Sequence, residues 1–98
     1  MGHTACGAVI GACQNAKLGN LTLLLDEIQP AVEIVKAEHP NENVCASPHV
    51  NDISEVNVVQ TIKGIRAKSP VLVDLEKEGK LKIVGAMYDT TTGKVSFL

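Results

Sequence analysis

The sequence predicts a small α/β domain, mostly helical, that ends in a β-hairpin. Apolar residues make up 45% of the 98 residues, enough for one modest core, so we expect residues 1–98 to form a single domain. Between Ile53 and Ile65 apolar residues recur at spacings of three, which is typical of a helix. After Gly79 the pattern changes to two short apolar segments separated by a turn-forming run at 89–93.

The first half of the chain predicts two helical regions. Residues 8–18 are rich in small residues and good helix formers, and Gly19 follows where a C-terminal cap is expected. Asn20 then caps a second helix. Pro30 either kinks this helix or starts a new one as its first-turn residue, and the His-Pro pair at 39–40 ends the continuation.

A polar loop over 39–48 precedes the clearest helix. Asn51 or Asp52 is its expected cap, and its core stripe is expected to comprise Ile53, Val56, Val59, Ile62 and Ile65. Ser69 and Pro70 have the residue types of an N-cap followed by a first-turn proline, so they begin a last helix that Gly79 closes.

The strands are expected at about 81–88 and 94–98, joined by a turn that begins at Asp89. The first of them is apolar at nearly consecutive positions, which is typical of a strand covered on both faces of a larger sheet. Two strands alone are only marginally stable in water. We therefore expect this chain to lack neighbouring strands.

Charge and composition exclude several classes of partner. The net charge is −2 with both signs interspersed, so no basic stripe is present to bind nucleic acid. No apolar stretch is long enough to span a membrane, and no signal-peptide pattern opens the sequence. The cysteines are Cys6, Cys13 and Cys45, odd in number and irregular in spacing, which favours reduced thiols and a cytoplasmic protein.

The run Gly2-His3-Thr4-Ala5-Cys6-Gly7 is the strongest chemical signal. An imidazole and a thiolate three residues apart can bind one soft divalent ion, and zinc is the usual occupant of such a pair. Two protein ligands do not complete a zinc site.

Cys45 and His49 are four residues apart, a spacing seen at structural zinc sites, and could complete a Cys2His2 set. Alternatively, Cys45 is an apolar filler and His49 a loop or helix-cap residue. Cys13 lies two helical turns after Cys6, and we expect it to pack against a neighbouring helix.

The run at 2–9 resembles the G-H-x-x-C-G segment of β-class carbonic anhydrases. The similarity continues in order along essentially the whole chain, at residues 20–25, 28–32, 57–58, 69–71, 79–89 and 92–95. The single motif is weak, but the ordered set is specific. The resemblance implies the C-terminal portion of a β-carbonic anhydrase fold.

It also implies a zinc-dependent lyase that hydrates CO2 to bicarbonate. In that family two cysteines and one histidine hold the zinc, which makes a bound water acidic enough to supply hydroxide near neutral pH. The resemblance carries over His3 and Cys6 as two zinc ligands, and Gly7 as part of the tight turn behind them and a substrate-binding position. Family members are dimers or larger assemblies, so a homo-oligomer is expected.

The sequence departs from the family in one large respect. The first zinc cysteine of the family lies in a C-x-D-S-R motif, together with an Asp-Arg pair that controls the open coordination position. No C-x-D-x-R occurs in these 98 residues. The resemblance therefore identifies no catalytic residue here, and we expect weak activity or none from the chain alone. The alternative is a non-catalytic interaction module or a truncated relic that self-associates through its strands.

Overall fold

Helices make up most of the chain, and a small sheet lies beside them. The structure is a computed structural model that describes residues 1–98. In chain order its elements are β1 (Gly2–His3), α1 (Gly7–Cys13), α2 (Leu21–Glu38), α3 (His49–Lys68), α4 (Pro70–Lys77), β2 (Ala86–Tyr88) and β3 (Val95–Phe97). The predicted fold class, a mostly helical α/β chain with a C-terminal hairpin, is confirmed.

The sheet has three strands in the order β1-β2-β3. The predicted hairpin is present, but its strands are shorter than expected, because residues 81–85 lie outside the ladder. β1 was not predicted. It pairs parallel to β2, with Gly2 opposite Met87 and His3 opposite Tyr88. The start of the chain is thereby held against its last third.

The turn between β2 and β3 has the chemistry expected of Asp89. Its Oδ1 accepts hydrogen bonds from the backbone N–H groups of Thr91 at 2.8 Å and Thr92 at 3.3 Å. Gly93 has a φ of 77°, which favours glycine. This local hydrogen bonding closes the hairpin.

Two helix boundaries differ from the prediction. α1 ends at Cys13, five residues short of the predicted 18, and the chain turns through Asn15 with a φ of 56°. α2 is one helix that includes Pro30. Pro30 itself is exposed, while buried residues lie on both sides of it in the same helix, so the apolar face continues across the proline.

α3 begins at His49, with Pro48 at the N-cap, instead of at the predicted Asn51 or Asp52. The predicted core stripe is only partly correct. Ile53 is fully buried, but Val59 is 40% exposed and Ile65 is 37% exposed. Each spacing of three residues falls about 60° short of a full turn. Residues spaced strictly by three therefore shift step by step around the helix axis, and the later ones leave its buried face.

The joint between α3 and α4 combines a helix cap with an ion pair. As predicted, Ser69 caps α4, and its Oγ accepts a hydrogen bond from the backbone N–H of Leu72 at 3.3 Å. Arg66 donates from Nε and Nη2 to the two carboxylate oxygens of Glu76, at 3.0 and 2.7 Å. These hydrogen bonds lower the pKa of the Glu76 carboxyl from its ordinary value.

The core lies between α1, α2, α3 and the loop that precedes α3. Its largest fully buried side chains are Ile53, Val32 and Val35. Cys13 and Cys45 form a disulfide within this region. The expectation of three reduced thiols is therefore wrong, because only Cys6 is free. The cysteines therefore give no support for a cytoplasmic location.

None of the helices combines the length and the apolar character that a membrane span requires.

Candidate metal centre

His3 and Cys6 lie on a tight turn that links β1 to α1. His3 is the last residue of β1, Thr4 and Ala5 form the turn, and Cys6 is the N-cap of α1. The Cys6 carbonyl accepts a hydrogen bond from the backbone N–H of Ile10 at 3.1 Å. Ala5 has a φ of 52°, in the left-handed backbone region that residues other than glycine rarely adopt. This conformation reverses the chain between the two candidate ligands.

Three hydrogen bonds from distant elements hold the turn. The backbone N–H of Thr4 donates to the Tyr88 carbonyl at 3.0 Å, which extends the pairing of β1 with β2. The N–H of Ala5 donates to Oδ1 of Asn51 at 3.0 Å. The hydroxyl of Ser54 donates to the carbonyl of His3 at 3.2 Å. The first two turns of α3 thus position the candidate site.

The hydroxyl of Thr4 connects the turn to the hairpin. Its Oγ1 accepts a hydrogen bond from the backbone N–H of Thr90 at 3.0 Å and lies 2.9 Å from the Thr90 hydroxyl. The sequence alone predicts a turn residue at Thr90 and a helix cap at Asn51. The sequence around Thr90 and Asn51 contains no local signal for their hydrogen bonds to Thr4 and Ala5.

The donor atoms on the turn suit a metal of the zinc class. Nδ1 of His3 lies 2.9 Å from the carbonyl oxygen of Thr4. Because that oxygen can only accept, Nδ1 carries the proton and the lone pair lies on Nε2. Such a hydrogen bond also orients metal-ligating histidines. His3 is exposed and Cys6 is a free, half-buried thiol, so both donors are available.

The other two candidate ligands lie in different surroundings. The sulfur of Cys45 is bonded to that of Cys13, so in this state it offers no thiolate to a metal. His49 lies at the start of α3 with its ring beside His39, the ring centroids being 4.4 Å apart. In this disulfide-bonded state Cys45 cannot complete a Cys2His2 set with His3 and Cys6, and Cys13 is not simply a packed thiol.

Gly7 begins α1 and lies outside the strained part of the turn, which is at Ala5. A Cβ at position 7 would have no neighbour within 4 Å. Gly2 is different, because a Cβ there would lie 2.8 Å from Oγ of Ser54 and 3.0 Å from Cγ2 of Val58. The close packing that requires glycine is thus in β1.

We expect Gly2→Ala to destabilise the fold by about 1–3 kcal/mol, because the added methyl group overpacks β1 against α3. Gly7→Ala is the matched control and should change the stability by no more than about 1 kcal/mol, in the stabilising direction, because alanine favours a helix. Urea unfolding of both variants measures the difference. Equal stabilities of the two variants would show that β1 does not pack as described.

Clefts flank the turn on both sides. A shallow one of about 350 Å³ is lined by His3, Tyr88 and Thr90 together with residues 1–2. A second, of about 540 Å³, lies between the turn, the start of α3 and the hairpin turn, and includes Ala5, Asn51 and Asp89 in its lining. Small molecules can therefore reach the turn from solvent.

Comparison with known proteins gives a consistent result. A family model described as carbonic anhydrase matches residues 1–95. The chain is similar to the crystal structure of the β-carbonic anhydrase CafA of the fungal pathogen Aspergillus fumigatus, with 31% identity and a TM-score of 0.80. That alignment covers 98% of this chain and 45% of CafA.

The structure of the β-carbonic anhydrase CcaA has the same fold over 99% of this chain and 48% of that protein, with 19% identity and a TM-score of 0.79. A comparison with curated protein sequences gave no match. The chain spans about half the length of the solved relatives it matches.

Proposed function

The chain belongs to the β-carbonic anhydrase family, and on that premise we propose that its His3–Cys6 turn supplies two of the three protein ligands of a zinc centre that hydrates CO2 to bicarbonate. When bound, zinc supplies the acidity that turns water into hydroxide near neutral pH. The substrate pair is therefore CO2 and bicarbonate, and the reaction is that of a lyase. Gly7, next to Cys6 at the start of α1, is proposed to border the substrate.

One observation carries the assignment of the ligands. The turn presents an imidazole with its lone pair on Nε2 and the single free thiol of the chain. Nitrogen and sulfur donors are those that zinc prefers in proteins. Asn51 and Ser54 hold the backbone between the two donors, so their role is to position the ligands.

The 98 residues alone are proposed to have little or no activity. They contain no C-x-D-x-R motif, so the third protein ligand and the Asp-Arg pair of the family have no counterpart in them. A third donor has to come from outside these residues or from a partner subunit. A metal held by only two protein ligands is bound weakly and in a poorly defined geometry.

Cobalt substitution tests the ligand assignment without relying on activity. We expect the chain with Co2+ to show a thiolate-to-metal charge-transfer band, which Cys6→Ala abolishes and His3→Ala weakens. His39→Ala, which removes a histidine far from the turn in sequence, should keep the band. Because two protein ligands bind a metal weakly, Co2+ is added in large excess, and absence of the band from the unsubstituted chain under that condition would refute the assignment. CO2 hydration by the 98 residues, measured with and without a chelator, tests the proposal that they have little or no activity on their own. Strong chelator-sensitive turnover would contradict that proposal.

The second candidate function is self-association as an interaction module. Apolar side chains are unusually exposed at several positions, including Leu23 at 71% and Phe97 at 75%. A cleft of about 580 Å³ between α3 and β3 has ten lining residues, six of them apolar, Phe97 among them, and three of them cationic. β3 is also an edge strand with one free side. A second copy of this chain would cover these surfaces.

Light scattering at micromolar concentration tests this candidate. A homo-oligomer is expected, and a clean, stable monomer would count against it.

A further inference from the structure

A cluster of His39, Glu42 and His49 lies apart in sequence from the His3–Cys6 turn. His39 follows α2, Glu42 belongs to the loop, and His49 begins α3. Two backbone hydrogen bonds hold this arrangement. The N–H of His39 donates to the carbonyl of Val35 at 3.1 Å, and the N–H of Glu42 donates to the carbonyl of His39 at 3.2 Å. One potential ligand atom from each of the three side chains lies within 4.8 Å of the others.

The carboxylate of Glu42 lies between the two rings. Its Oε2 is 2.6 Å from Nδ1 of His39, and its Oε1 is 3.5 Å from Nε2 of His49. A tetrahedral ion with ligand bonds of about 2.0–2.2 Å requires donor atoms that are about 3.3 Å apart. The two separations involve different carboxylate oxygens, and the shorter one is a hydrogen bond. Binding of an ion therefore releases the proton between His39 and Glu42 and widens that contact by about 0.7 Å.

His49 is already oriented as a metal ligand. Its Nδ1 lies 3.2 Å from Oδ2 of Asp52, which leaves Nε2 directed at the cluster. A carboxylate on the far nitrogen is a common partner of metal-ligating histidines, since it fixes the tautomer and the orientation of the ring. The His49 side chain is only 15% exposed, so its position is restricted by packing.

We propose that His39, Glu42 and His49 bind a divalent transition-metal ion of the zinc class, with Asp52 as the positioning carboxylate. Two imidazoles and one carboxylate form a donor set suited to zinc, cobalt, nickel or copper. The ion links the end of α2 to the start of α3. This site contains no sulfur and does not depend on the assignment of His3 and Cys6.

The test uses the double variant His3→Ala/Cys6→Ala, so that the turn contributes no ligand. Titration with Co2+ or Zn2+ alone, followed by calorimetry, should show one ion bound per chain. Co2+ should give visible d–d absorption with no thiolate charge-transfer band. If the double variant does not fold, the unsubstituted chain is titrated instead. It should then bind a second Co2+ whose d–d absorption is lost in Glu42→Gln while the thiolate charge-transfer band is kept.

Further substitutions separate ligation from general electrostatic attraction. Glu42→Gln should weaken binding at least tenfold, and Asp52→Asn should weaken it by about 10–100-fold. The control is Glu38→Gln, which makes the same charge change on an exposed residue next to His39 and should leave the affinity unchanged. The proposal is overturned if the double variant binds no ion, or if Glu42→Gln and Glu38→Gln weaken binding equally.

Discussion

Replacing Cys13 and Cys45 together by alanine is expected to lower the free energy of unfolding by about 3 to 4 kcal/mol. The disulfide joins residues 32 positions apart in sequence. It ties the end of α1 to the loop before α3, and so restricts the unfolded chain over the whole of α2. Urea unfolding of the oxidised protein and of the double variant measures the loss.

Two controls accompany this experiment. Cys6→Ala removes the free thiol and should leave the free energy of unfolding nearly unchanged, because Cys6 is in no disulfide. Adding a reductant to the unsubstituted protein should reproduce most of the effect of the double variant. Thiol titration without reductant should find a single reactive cysteine. Three reactive cysteines in the native protein would show that the disulfide does not form.

Ile53→Ala is expected to destabilise the fold by about 2–5 kcal/mol. Ile53 is fully buried in α3 and belongs to the same apolar cluster as Val32 and Val35 of α2. Truncation removes apolar contacts and leaves a cavity where the two helices pack. Because a domain of this size is stable by only about 5–15 kcal/mol, the loss is a large share of the total.

Val59→Ala is the control within the same helix. Its side chain is 40% exposed, so we expect a loss below about 1 kcal/mol. Thermal and urea unfolding of the two variants compare them directly. Similar losses at positions 53 and 59 would mean that α3 is rotated about its axis relative to the structure described, or that self-association buries Val59.

The helices could be predicted from the sequence because their signals are local. Ser69 followed by a proline predicted the cap of α4, and the Ser69 side chain makes the expected hydrogen bond. Asp89 predicted a turn for the same reason. The buried face of α3 was predicted less well, because several periodicities fit its apolar residues and only the packing against α1 and α2 selects one.

The two main features that the sequence did not predict depend on distant partners. β1 is two residues long, too short for any periodic pattern, and its partner strand lies near the other end of the chain. The Cys13–Cys45 disulfide was missed because an odd number of cysteines can still contain one pair, and spacing alone does not reveal pairing. Both required knowledge of how the helices fold back on one another.

In the candidate metal centre, too, the residues with local signals could be predicted and those that act through distant contacts could not. His3 and Cys6 follow from a short motif whose residue types match zinc chemistry. Asn51 and Ser54 could not be predicted, because hydrogen bonds to the His3–Cys6 turn leave no mark in the sequence near α3. The cluster around Glu42 was missed for a related reason, since its members become neighbours only after the loop between α2 and α3 has folded.

The pairing of Thr4 with Thr90 across a sequence separation of 86 residues has a consequence for folding kinetics. During synthesis, the His3–Cys6 turn leaves the ribosome before the hairpin, so it cannot make its hydrogen bonds to Tyr88 and Thr90 until the hairpin has emerged. Contacts between such distant residues form slowly, because the chain first loses the entropy of closing a long loop. The two candidate zinc ligands are therefore translated well before the hairpin that positions them.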